Sequence, residues 1–82
     1  MWKDGIIFVD GKAYEYSIKV YDLPSNYGIK NGRISKLRVY DGIDIILDYD
    51  RGWGTGYAPK PKRGSHEEKV LNAILNMYPV IK

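Results

Sequence analysis

The stretch from Gly32 to Trp53, GRISKLRVY followed by DG and IDIILDYDRGW, constrains the fold more than any other part of the chain. Apolar and polar residues alternate on both sides of Asp41-Gly42, the pattern of two half-buried strands joined by a tight turn. An earlier pair, Asp10-Gly11, separates the runs Lys3 to Val9 and Lys12 to Tyr21 in the same way. In the second run Tyr14, Tyr16, Ile18 and Val20 share one face, and Glu15, Ser17, Lys19 and Tyr21 share the other. One face therefore packs and one meets solvent.

Turn chemistry and alternation together suggest a register. A two-residue loop at Asp10-Gly11 would place Ile7 opposite Tyr14; a three-residue loop with Gly11 as the left-handed bulge residue places Ile6 opposite Tyr14 and Trp2 opposite Ile18, and is the one expected because it gathers Trp2, Ile6 and Phe8 with the tyrosines. The same device at Gly42 sets Val39 against Ile43, Leu37 against Ile45 and Ser35 against Leu47. On the reverse face it puts Arg38 beside Asp44 and Ile34 beside Asp48, so the acidic residues of the last strand gain basic neighbours.

Strands are thus expected at about 3–9, 12–21, 33–40 and 43–50. The connection LPSNYGIKN is long for a hairpin loop and reads as a crossover or a functional loop, with Tyr27 and Ile29 as its anchors. The segment 51–64 holds four Gly and two Pro and cannot be regular for long. A helix over about 66–78 follows: Ser65 and Glu68 form a capping box, and Glu67 and Glu68 suit the first-turn dipole. Val70, Leu71, Ile74, Leu75 and Tyr78 make its apolar stripe, with Asn72 and Asn76 outside it. Pro79 is the stop signal.

The expected fold is α+β, ββββα: a single domain over 1–82 in which a four-stranded antiparallel sheet of two hairpins carries the C-terminal helix on one face. At 82 residues the chain has room for one modest core. Without cysteine it has no disulfide and no thiolate metal site, which suits an intracellular setting. No apolar run reaches the roughly 20 residues of a membrane span, and the N-terminus lacks a signal-peptide pattern. A cytoplasmic protein with no membrane association is expected.

The helix-free face should show Ile7, Glu15, Lys19, Tyr21, Ile34, Lys36, Arg38, Asp44, Ile46 and Asp48. Apolar groups mixed with charges suit a partner surface, or a seam between two copies of the chain, better than plain solvent. Of the eight tyrosines, Tyr14 and Tyr16 read as core, and Tyr21, Tyr27, Tyr40 and Tyr57 as surface. The candidate partner-binding residues are Tyr21, Tyr27, Arg38, Asp44, Asp48, Arg51 and Trp53.

Catalytic readings are weaker than structural ones. Asp44, Asp48 and Asp50 could share a strand face and hold a hard cation, but no His or Glu completes the shell, and Lys36 and Arg38 are placed to balance them. His66 is the one histidine and reads as a solvated residue at the helix start. The glycines around Trp53 resemble a phosphate loop, yet PKPKR separates them from the helix that such a loop must enter directly. A non-enzymatic protein with no metal or cofactor is expected.

Charge singles out one further site. Eight cationic and eight acidic side chains cancel over residues 1–58, so the formal excess of +3 lies wholly beyond them, concentrated at Lys60, Lys62 and Arg63. With Trp53 and Tyr57 these residues could bind single-stranded nucleic acid by stacking and phosphate neutralisation. Alternatively, Trp53 and Tyr57 cover the end of the core while the cations keep the loop hydrated.

Several motifs carry a resemblance: Trp2 with Gly5, the YEYSIKVYD strand, Ser25-Asn26-Tyr27-Gly28-Ile29, Gly32-Arg33-Ile34-Ser35-Lys36-Leu37, and Tyr49-Asp50-Arg51-Gly52-Trp53. Over about the first two thirds of its length the chain resembles a small uncharacterised family of phages and mobile elements of Gram-positive bacteria. The resemblance implies the cytoplasm of a bacterial host and an accessory role. Small phage proteins of this type include inhibitors of nucleic-acid-targeting defence, CRISPR effectors among them. The leading expectation is a non-enzymatic, anti-CRISPR-like binding protein acting on a host protein such as a defence nuclease. The alternative is a nucleic-acid-binding module built on loop 53–63.

Overall fold

A computed structural model describes residues 2–79. Strands β1 (Trp2–Val9), β2 (Lys12–Val20), β3 (Ile34–Asp41) and β4 (Asp44–Asp50) form one antiparallel meander in that order, and helix α1 (His66–Leu75) packs on one face. The ββββα, α+β architecture is the one the alternation implies. The 21–33 connection joins neighbouring strands and is therefore a loop, not a crossover.

Both hairpin registers differ from expectation. In the first, Asp10 and Gly11 both take positive φ, 53° and 80°, and form a two-residue loop that pairs Ile7 with Tyr14 and Lys3 with Ile18. Two left-handed residues match the right-handed twist of the strands they join. A shift of one residue exchanges faces. Ile7 and Val9 turn to the core, while Trp2, Ile6 and Phe8 turn to the helix-free side, where they are 57%, 60% and 73% exposed. Gly5 falls in the inward set because the Tyr16 ring lies over it; a Cβ there would stand 2.5 Å from the Tyr16 hydroxyl.

In the second hairpin the turn is Gly42-Ile43, with Gly42 at φ 62°, and a bulge between Val39 and Tyr40 leaves Ile46 as the extra residue. Val39 pairs with Leu47 and Arg38 with Asp48, so the expected neighbours Arg38 and Asp44 are separated. Ile43 projects from the turn almost fully exposed. A further irregularity between Lys19 and Val20 pairs Val20 with Ile34, which brings Ile34 into the core and off the outer face.

The inner face closes over Tyr14, Ile18, Leu37, Val39 and Leu47 against Val70, Leu71 and Ile74 of the helix. Ile29 plugs the same core from the 21–33 loop. Tyr27 anchors that loop through its backbone alone: its carbonyl accepts a bond from the Tyr49 hydroxyl at 2.8 Å, and its ring stays 63% exposed. Gly28 is required there, since a Cβ would overlap the Gly32 carbonyl.

At the helix start the Ser65 hydroxyl accepts from the Glu68 amide, the first half of the capping box, while the Glu68 carboxylate reaches one residue further back to accept from the Gly64 amide, and the Ser65 amide donates to the Lys62 carbonyl. The helix ends at Leu75, earlier than Tyr78. The Met77 and Tyr78 amides bond back three residues to Ile74 and Leu75, the tighter geometry of a closing turn. Tyr78 precedes Pro79, whose ring disfavours the α region there.

Candidate binding face

Trp2, Asp4, Ile6, Phe8, Glu15, Lys19, Lys36, Arg38, Tyr40, Asp48 and Asp50 share the helix-free face by strand register. Four carboxylates stand there against three cations. Two adjoining hollows organise this face, and Lys36 lines both.

The first hollow, about 590 Å³, lies between the start of the 21–33 loop and the ends of β2 and β3. Tyr21, Leu23, Pro24 and Tyr27 supply its apolar wall, and Lys19, Lys36 and Arg51 its charge. Arg51 is held at φ 57° with its amide bonded to the Ser35 carbonyl at 2.8 Å, and its guanidinium reaches Asp50 at 3.3 Å. A hydrogen bond from Lys19 lowers the Tyr21 hydroxyl pKa from its ordinary value.

The second hollow, about 460 Å³, lies over the centre of the outer face between Trp2 and Tyr57. The Arg38 guanidinium bonds both Asp48 oxygens at 3.3 and 3.4 Å and stacks over the Tyr57 ring at 4.8 Å. Thr55 also donates to Asp48, so this carboxylate is 4% exposed and fully engaged. Its hydrogen bonds, with a second contribution from Tyr40, raise the Arg38 pKa. An engaged, stacked guanidinium is a rigid polar anchor.

The structure divides the candidates found in sequence. Tyr21, Tyr27 and Arg51 meet in the first hollow, and Arg38 and Asp48 in the second. Asp44 leaves the set: the bulge at Ile46 removes it from the face of Asp48 and Asp50 and places it opposite Asp41. Trp53 lines neither hollow: it is half-buried and packs edge-on against Tyr49, with ring centroids 4.9 Å apart. It covers the core end. Among the nucleic-acid candidates, Tyr57, Lys60 and Lys62 line a shallow hollow beside Ile45 and Ile46, and Arg63 is exposed on the same loop. Trp2, Ile6 and Phe8 are binding-face residues that the expected register hid, and Leu23 of the 21–33 loop, on the wall of the first hollow, carried no signal in the sequence pattern. The two-residue reading of Asp10-Gly11, with Gly5 in phase with Ile7 and Val9, is the signal that reveals Trp2, Ile6 and Phe8.

His66 is half-exposed at the helix start as expected, but its Nε2 lies 2.6 Å from the Tyr14 hydroxyl, so it also satisfies a buried phenol. Among the described residues no three His, Cys, Asp or Glu side chains gather as a metal site. No helix among them is long and apolar enough to cross a membrane.

A family model described as a domain of unknown function, DUF7678, matches residues 1–79. The chain belongs to the DUF7678 family. The match takes in the basic loop and helix α1 as well as the sheet, so the DUF7678 unit is the whole ββββα fold. None of the curated proteins and none of the solved structures matches the chain significantly.

Proposed function

We propose that this DUF7678 protein is a non-enzymatic binding protein that works through the helix-free face of its sheet, with a host protein as partner. One observation carries the reading: Trp2, Ile6, Phe8 and Tyr57 stand 57%, 60%, 73% and 66% exposed on a face rimmed by charges. Large apolar groups surrounded by polar ones characterise protein interfaces, and aromatic anchors dominate their energetics. The charge balance of the face, four carboxylates to three cations, suits a protein better than a polyanion. Its resemblance to small phage and mobile-element proteins favours an accessory role in a bacterial cytoplasm, the partner being a nuclease of nucleic-acid-targeting defence that contact inhibits.

Capture from bacterial host lysates with the protein immobilised tests this. The wild type should retain a discrete partner that the Trp2→Ala/Phe8→Ser variant loses while keeping its fold. Equal retention by both, or no partner from several hosts, overturns the reading.

A second reading rests on the exposed Tyr57, Lys60, Lys62 and Arg63, where the excess positive charge lies. Single-stranded nucleic acid should then bind with steep salt dependence, and neutralising the three cations together should remove binding. Absence of binding at low salt eliminates it.

A further inference from the structure

Lys19 and Lys36 face each other directly across β2 and β3 on the outer face. Like charges at such a pair repel, and a sheet without another use for them would place an acid at one position. Neither is well neutralised within the chain. Among the described residues Lys19 forms no ion pair, and Lys36 reaches only Asp50, at 3.8 Å. Asp50 is itself divided between Lys36 and Arg51. Each lysine instead leans over an aromatic ring, Lys19 over Tyr21 at 5.6 Å and Lys36 over Trp2 at 5.9 Å. The three cations converge on the first hollow, whose wall is the exposed Tyr21, Leu23 and Tyr27. A ligand for this hollow needs anionic groups for the cations and an apolar body for the wall.

We infer that the hollow between the 21–33 loop and the Lys19–Lys36 pair is the recognition pocket for an acidic peptide segment of the partner, one whose carboxylates flank an aromatic or branched apolar side chain. The inference rests on the protein-partner reading above and names the chemistry recognised at one end of that face. A carboxylate seated between Lys19 and Lys36 relieves their repulsion, and the apolar side chain covers Leu23, which is 77% exposed without it. Charge favours one or two side-chain carboxylates over a polyanion backbone, because Asp22 on the lining would oppose a continuous row of phosphates.

The test is titration of the full chain with a capped peptide alternating Glu and Asp with Phe and Leu, followed by backbone amide NMR. Its Gln/Asn analogue and an oligothymidylate serve as comparison probes. Shifts at Lys19, Tyr21, Leu23 and Lys36 are expected for the acidic peptide alone. The Lys19→Ala/Lys36→Ala variant should weaken binding by about ten-fold, equivalent to about 1.4 kcal/mol. Lys36→Arg, which keeps the charge, should retain it.

No shift at peptide concentrations near about 1 mM, the weak end of specific binding, overturns the inference. Equal binding of the neutral analogue, or tighter binding of oligothymidylate at the same residues, does so too. Partner capture separates the two proposals. A partner lost by Trp2→Ala/Phe8→Ser but kept by the double lysine variant leaves the binding face standing and removes the acidic-peptide pocket.

Discussion

In the first hairpin Asp10-Gly11 fills both loop positions, whereas in the second Asp41 stays in its strand and Gly42-Ile43 makes the turn. The same dipeptide therefore gives two geometries. Lys12 after the first glycine can begin a strand, while Ile43 after the second must sit in the loop, where a β-branched residue resists positive φ and only Gly42 takes it. The consequences differ in scale. The first hairpin is regular and its parity decides which apolar residues face out; the second corrects its alignment with a bulge and thereby chooses which aspartate Arg38 holds.

The largest effects are expected from the two faces that the registers create. Ile18→Ala and Leu47→Ala, both fully buried, should each cost about 2 to 5 kcal/mol in chemical denaturation. Phe8→Ser should stay within about 0.5 kcal/mol of wild type. A core-sized loss at Phe8 would mean that the first hairpin has the opposite parity.

The bulge makes the next largest prediction. Asp48→Ala should cost about 1 to 3 kcal/mol, because it strips the Arg38 guanidinium and the Thr55 hydroxyl of their acceptor. Asp44→Ala should change stability by about 0.5 kcal/mol or less. Double-mutant cycles sharpen the point: coupling to Arg38 is expected for Asp48 and absent for Asp44. The reverse result would restore an unbulged second hairpin.

Turn residues come third. Gly11→Ala and Gly42→Ala each place a Cβ at positive φ, for about 1 kcal/mol apiece, measurable as a shift in denaturation midpoint. A neutral Gly42→Ala would show that the second turn is not the one described.

The smallest effect is a pH dependence confined to the first turn. Hydrogen bonding from Lys69 lowers the Asp10 pKa below its ordinary value of 3.8. The group is depressed in the folded state, so its stabilisation is present above 3.8 and is lost as pH falls through the folded value. Asp10→Asn should lose that small increment of acid sensitivity in melting curves below pH 3.8. Asp41, which pairs with Lys12 at 2.7 Å, belongs to the other hairpin and should leave it unchanged.

Much of the fold was legible because it is local. Strict alternation from Tyr14 to Val20, two Asp-Gly pairs and the Ser65–Glu68 capping box each express a preference within a few residues of chain. The helix stripe Val70, Leu71 and Ile74 is buried as its spacing implies. Of the candidate residues the structure brings Tyr21, Tyr27 and Arg51 together, and it pairs Arg38 with Asp48 where the spacing had set it beside Asp44. The places of Asp44 and Trp53 were not legible, since one depends on a bulge two residues further along its strand and the other on the Tyr49 ring it packs against.

The elements, their order and the inward face of β2 follow from the sequence alone, because periodicity and turn chemistry act along the chain. Tertiary structure alone decided register and therefore which surface works. The fit of the Tyr16 ring over Gly5 turned Trp2, Ile6 and Phe8 outward. The pairing of β2 with β3 set Lys19 against Lys36, and the irregularity just beyond that pair brought Ile34 into the core. Both depend on how side chains from different strands share one volume, which no spacing along a single strand contains.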